Sequence, residues 1–434
     1  MRHVVVMTLA GVIGITMQYL VDLIDLFYLS LLHQTAVTSA VGFAGTIVLL
    51  NLSVAIGGSV AAAALVSKSI GAGNVNQARE YATSALFLSI ILSSLLTLTI
   101  VLGSSKFLSL LGARGDAKAL AQVFTWTMTP SFLVVGGEVC CVAILRALGD
   151  ARGSTWIAVT AALITLCADP VFIFGLDLGI QGAAIATSIG HSLAFLIGLY
   201  RLVKIHKIIN PFSFAGLKRD FPDLKAIAFP AILAQVSLPF TNSYITYLMA
   251  GFGDEYVAGF IAICRIVPVA FSLTYSIMGS VGPIIGQNVG ARKWARVRKT
   301  MTNSLLFSTG YVLTTSLILY FLRFKIAAVF HASGQDSVVI VFFCKYIAIS
   351  WTFIGAQFLA NALFNQLGHS KLALVFNWAR ATLGTVPFAW VGARLGGAEG
   401  ALIGNAMGAA LFGIAAIIKA YGLVKERSRH LNLA

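Results

Sequence analysis

Ser69-Ile70-Gly71-Ala72, followed by Arg79, recurs as Asn288-Val289-Gly290-Ala291, followed by Arg298, at a spacing of 219 residues. Leu148-Gly149 within RALGDARGS matches Leu367-Gly368 within NQLGHSKLA at the same spacing. Farther on, QGAAIATSIG (181–190) matches EGALIGNAMG (399–408) at 218, one deletion away. Three matched stretches in one order identify a duplicated unit rather than a chance motif.

The rest of the chain is a series of apolar spans separated by short polar stretches. The spans number twelve, at about 4–31, 38–66, 81–104, 120–146, 154–175, 179–203, 226–252, 256–286, 300–322, 337–366, 371–393 and 397–421. A helix needs about 20 apolar residues to cross a bilayer. The whole chain is 58% hydrophobic and only 10% charged, against about 25% charged in soluble domains. It is therefore predicted to be an all-α integral membrane protein of twelve transmembrane helices in two six-helix repeats. Six is even, so both copies start on the same face and the repeats are parallel. The domain expectation is an N-terminal six-helix unit (1–203), a polar cytoplasmic linker (204–225) and a C-terminal six-helix unit (226–434).

The net charge of +15 would suit nucleic acid, but its distribution does not. Of the 30 Lys and Arg, twenty-one fall on one side of the predicted helices, six on the other and three (Arg265, Lys345, Arg380) within spans. That bias places both termini and the linker in the cytoplasm and the chain in a cell membrane, with the lipid bilayer and not nucleic acid as its surroundings. The five cysteines lack metal-ligand spacing and read as reduced packing residues. Met1-Arg2-His3 before an apolar run resembles a signal peptide, yet that run holds two acids and no small-residue cleavage site, so it is expected to be the first retained helix.

Those acids, Asp22 and Asp25, lie one helical turn apart, on adjacent faces. A carboxylate within the bilayer costs about 2.5–3.5 kcal/mol on insertion scales, and such groups usually face a pathway or a partner. Four acids lie deep in spans, Asp22, Asp25, Glu138 and Asp169. All belong to the first copy. The repeat positions opposite the first three are Thr241, Tyr244 and Gln357, and the gapped match to Asp169-Pro170 is Val386-Pro387. Charge kept on one side of a duplication points to a cation-handling site in the N-terminal half. Pro170 removes a backbone donor and is expected to kink its helix beside Asp169. If the first and fifth spans face each other, Asp25 and Asp169 would share a poorly solvated cavity and exchange a proton near neutral pH. Sodium held by the same oxygens, helped by Thr165 or Thr187, is the competing use. Glu138, in Gly136-Gly137-Glu138, suits either function or a helix-pairing hydrogen bond. Lys345 and Arg380 are expected to pair between helices, and His191 to be core. SIGAGN lacks the lysine of a phosphate-binding loop, and no nucleotide-binding domain is found. Energy is therefore expected from an ion gradient, the substrate's own gradient or a separate subunit; enzymatic chemistry and cofactors are not expected.

The motifs VDLIDLFYLS (21–30), SKSIGAGNVNQAR (67–79), LRALGDARGS (145–154), ADPVFIFG (168–175) and GIQGAAIATSIG (179–190), with the weaker copies VGARKWARVRK and NQLGHSKLA, resemble the multidrug and toxic compound extrusion family along essentially the whole chain. The resemblance implies a V-shaped pair of six-helix lobes, acting as a monomer, that exports cationic or amphipathic drugs in exchange for H+, with Na+ as the alternative, by alternating access. It is similar to the DinF-like branch, which implies functional roles for Asp25, for Asp22 one turn earlier, for Asp169 before proline and for Thr187. With Na+ as the coupling ion, Asp25 and Asp169 would be its ligands. Two positions depart from the branch pattern, Thr165 where asparagine is frequent and Phe124 where tyrosine is expected. A polyprenyl-linked lipid or oligosaccharide flippase of the same superfamily is the alternative, disfavoured because the deep charges are mainly acidic.

Overall fold

The computed structural model of the protein describes residues 2–30, 35–110 and 113–432. Sixteen α-helices follow in order: α1 (Arg2–Ser30), α2 (Thr35–Gly71), α3 (Val75–Leu110), α4 (Gly115–Thr127), α5 (Thr129–Ala147), α6 (Ala151–Pro170), α7 (Gly179–Tyr200), α8 (Phe214–Gln235), α9 (Ser237–Ala250), α10 (Asp254–Ala270), α11 (Ser272–Gly290), α12 (Trp294–Val329), α13 (Gln335–Phe342), α14 (Trp351–Gln366), α15 (Ser370–Ala379) and α16 (Val386–Asn432). Leu, Ala, Val and Ile fill them, and backbone groups bonded within each helix need no water.

Ten of the described segments are long and apolar enough to cross a membrane, and α10 with α11, bent by 46°, supplies another. The segment Ser370–Arg429 counts once among the ten, yet its backbone leaves helical geometry at Gly396 and Gly397. Gly397 has φ +62°, a conformation open to glycine. Around that break the chain doubles back. Gly392 faces the Gly400 backbone, Gly404 that of Phe388, and Gly408 that of Gly384, pairs that step four residues at a time away from the bend. Two antiparallel helices packed backbone to backbone are required, and the twelve expected spans are accounted for.

The duplication reappears atom by atom. In the first copy Ala72, Gly73 and Asn74 donate their N–H groups to Lys68, Ile70 and Ser69 carbonyls; in the second, Ala291, Arg292 and Lys293 donate to Gln287, Val289 and Asn288. Likewise Leu148, Gly149 and Asp150 match Leu367, Gly368 and His369 donor for donor. Gly149 (φ +86°) and Gly368 (φ +77°) are both left-handed, where a side chain would be strained.

Boundaries differ from the sequence expectation where proline and local geometry act. The expected span 120–146 breaks at Met128, with Pro130 in the first turn of α5, into α4 and α5. The helix expected from 226 begins at Phe214, with Pro222 inside it. At Pro170 the helix widens into a π-helical turn, Val171–Gly175, closed by Leu176 N–H on the Val171 carbonyl at 2.9 Å.

Contacts divide the chain into two units. One comprises residues 13–232 and the other residues 1–12 with 233–434. In the first unit Cys140, Cys141, Leu145, Ala194 and Leu202 are fully buried in one core. The polar stretch 204–225 belongs to it: Ile208, Leu217 and Leu224 enter that core, and Ser84 on α3 donates to Asp220 at 2.7 Å. In the second unit the start of α1 packs on α11, where Ser276 Oγ donates to the Thr8 carbonyl at 3.0 Å and Gly11 lies against Ser276 and Ser280. All five cysteines are unpaired; Cys167, expected to pack, is exposed.

Candidate functional site

The deep acids gather in the first unit. Asp25 on α1 lies four residues before the end of its apolar segment Val5–Leu29, and Asp169 on α6 six residues before the end of Ala151–Gly175. At about 1.5 Å per residue the two differ by about 3 Å in level on helices that run the same way through the repeat. The carboxyl groups of Asp25 and Asp169 lie within electrostatic reach of each other, with no hydrogen bond formed to either Asp169 oxygen. Asp169 is fully buried, and its two oxygens, together with Asp25 Oδ1, are shielded from solvent without a hydrogen-bond donor. Among the described residues no ion pair reaches either acid. Two carboxylates without donors in a dry setting repel, whereas a proton on one makes it a donor to the other.

Asp22 is more open. It accepts from Gln18 Nε2 at 3.1 Å, one turn earlier on α1. Tyr19 and His191 lie within its electrostatic reach. Glu138, buried on α5, meets His191 of α7, with Oε2 at 2.6 Å from Nδ1. His191, expected to be core, is thus joined to a buried carboxylate, with the exposed Asp22 in electrostatic reach. A partner 53 residues away in sequence leaves no local trace, but a histidine inside an apolar span is itself the signal that finds it.

Thr165 and Thr187 stand one turn before Asp169 and His191 on the same helix faces. Thr165 is buried, its hydroxyl facing Gly190 where α6 and α7 touch, and Thr187 donates to the Ala183 carbonyl of its own helix at 2.9 Å. The structure thus brings Asp25 to Asp169 and Glu138 to His191, sets Asp22 near His191, and turns both threonines to helix packing. Among the described residues no cluster of three or more His, Cys, Asp or Glu takes a metal-holding arrangement.

The expected pairing of Lys345 and Arg380 does not occur. Lys345 Nζ lies over the Tyr346 ring at 4.7 Å. Arg380 is buried, its Nε without an acceptor, and no described carboxylate forms an ion pair with it.

The MatE family model matches residues 12–171 and again 230–391, the two repeats. A Shewanella oneidensis protein named FAD transporter is 28% identical over 394 residues, covering 88% of this chain and 86% of that one. The Staphylococcus aureus multidrug export protein MepA is 22% identical, covering 85% and 82%. The crystal structure of the Vibrio cholerae MATE transporter VcmN in the bent form superposes with a TM-score of 0.92 at 25% identity, covering 98% of this chain and 97% of that one.

Proposed function

This chain belongs to the MatE family of membrane transporters, and we propose that it is a secondary exporter that exchanges cationic or amphipathic organic compounds for protons through the Asp25–Asp169 pair. The observation that carries this is two carboxyl groups, brought together from two helices, with buried oxygens that lack any donor. Such a pair is stable with one proton between them and repulsive without it, so proton binding and helix position are linked. Proton arrival would draw α1 toward α6; proton loss would release it. An organic cation competes for the same negative charge, so protonation expels it, the exchange that alternating access requires.

The remaining acids extend the path. Measured along their helices, Asp22 lies one turn below Asp25, and Glu138 with His191 lies deeper from that end. His191 bonded to Glu138 and near Asp22 can receive and pass a proton, since each imidazole nitrogen both binds and releases one. Na+ on the same oxygens remains the competing ion.

A second substrate class is favoured by one observation: the relative named FAD transporter is more similar, at 28%, than the drug exporter MepA at 22%. Export of a flavin nucleotide by this chain is the corresponding proposal.

The test is reconstitution in liposomes with a fluorescent organic cation inside, first under an imposed proton gradient and then under a sodium gradient. Export driven by the proton gradient alone, and lost in D25N and D169N, is expected. Export unaffected in both variants would remove the coupling site.

A further inference from the structure

The second unit contains a polar cluster that the repeat architecture does not need. Arg380, at the start of the π-helical turn Arg380–Gly384, is 5% exposed, and its Nε has no acceptor. One turn earlier, Asn377 Oδ1 accepts from Gln357 Nε2 at 3.1 Å and from Asn361 Nδ2 at 3.3 Å, both on α14. The carbonyl oxygens of Gln357, Asn361 and Asn365 are buried and themselves accept nothing. Beyond Arg380, Thr385 Oγ lies 3.1 Å from Asn405 Oδ1 on the returning arm of α16.

The first copy packs the same surfaces without this chemistry. At the 219-residue spacing Arg380, Asn377 and Asn361 correspond to Ala161, Ala158 and Val142, and Gln357 to Glu138. Helix packing is thus met by small apolar residues, and the acid of the first copy becomes an amide beside a cation in the second. Arginine keeps its charge under all ordinary conditions. A buried guanidinium without a counter-charge is strongly unfavourable, and its fork matches a carboxylate or phosphate through two parallel bonds. The unused amide carbonyls call for N–H or O–H donors on the same ligand.

We propose that Arg380, with the amides of Gln357, Asn361 and Asn377, forms a binding site for an organic anion bearing hydrogen-bond donors, such as a flavin phosphate, within the second unit. This goes beyond the exchange of cations for protons; it extends the flavin reading from a relative's name to residues of this chain, and it stands on their geometry. Arg380, Gln357, Asn361 and Asn377 are all buried, so binding at this site requires it to open.

The experiment is equilibrium binding to the purified protein in zwitterionic nanodiscs, without any ion gradient, so that the outcome is separate from whether export is coupled. Flavin mononucleotide and riboflavin differ by one phosphate. The wild-type protein is expected to bind the mononucleotide about tenfold more tightly, the value of one good charge-assisted contact. R380Q should abolish that preference, and R380K, which keeps charge but not the fork, should reduce it. Failure of the mononucleotide to bind, equal affinity for both flavins, or an unchanged preference in R380Q and R380K would each overturn the site. Should R380Q not fold, R380K and the wild-type preference decide the outcome.

Discussion

Asp22 and Asp25 are one turn apart on one helix, yet their surroundings differ. Asp25 faces a buried carboxyl and carries an oxygen with no donor, whereas Asp22 is exposed and accepts from Gln18. An asparagine at 22 can still accept that bond, whereas at 25 it removes the carboxyl group proposed to take the proton. D22N is accordingly expected to reduce gradient-driven export by less than about tenfold, while D25N removes the coupled component, compared as initial rates in proteoliposomes. Glu138 and His191 behave as one unit. Removing one partner of a buried pair costs about 3–5 kcal/mol because the other is stranded, so E138Q and H191Q should each lower thermal stability. The double variant should lose less than their sum, as thermal melting of all four proteins would show. Additive losses would mean that the 2.6 Å contact carries no energy.

At the scale of elements, Asp150 joins two helix ends. Its side chain accepts from Gly153 N–H at 2.8 Å at the start of α6, and from Arg201 Nη2 at 2.7 Å and His206 Nε2 at 2.9 Å beyond the end of α7. Burial opposes its charge, but Arg201, His206 and the Gly153 N–H outweigh it and hold the carboxyl below its ordinary value. A lowered value in the folded state means stability that is present at neutral pH and lost as pH falls below about 3.8, the ordinary value. Asparagine is as good a cap as aspartate. D150N should therefore keep the cap on Oδ1 but lose the charge and the Oδ2 acceptor of Arg201 and His206, D150A should lose the cap too, costing about 1 kcal/mol more, and the gap between wild type and D150N should narrow on acidification. Denaturation at pH 7 and below pH 4 measures each step.

The glycine hairpin makes a sharper demand. A Cβ at Gly408 would collide with the Gly384 carbonyl, whereas Gly310 and Gly45 have open space. G408A is expected to cost at least about 1–3 kcal/mol by overpacking, with G310A near neutral in the same melting assay. These elements were largely legible in the sequence. Spacing of 219 residues located the turns that prove to share their hydrogen bonds, and apolar length located the spans. The π-helical turn after Pro170 and the helix through Pro222 were not, because a proline in the sequence does not itself say whether its helix stops, widens or continues. For Glu138 and His191 the sequence flagged each polar residue inside an apolar span but not their contact, which is a property of packing; Asp25 and Asp169 were linked in the sequence only on the condition that the first and fifth spans face each other.

Across the whole molecule, duplication has kept form and separated charge. The turns of the two copies agree bond by bond, while the buried acids sit in the first unit and a buried guanidinium without a carboxylate partner sits in the second. This asymmetry has an electrical consequence. If Asp25 and Asp169 share a single proton as proposed, one positive charge enters per cycle, and exchange for a monovalent organic cation moves no net charge. Each charge that does move across 100 mV is worth about 2.3 kcal/mol, easily seen in a rate. Export of a monovalent cation should therefore follow the pH difference and ignore a potassium diffusion potential set by valinomycin. Export of a dianion by the same proton would carry net charge and respond strongly to that potential. A monovalent cation whose export accelerates with membrane potential would mean that Asp25 and Asp169 each take a proton per cycle, and the shared-proton description would fall.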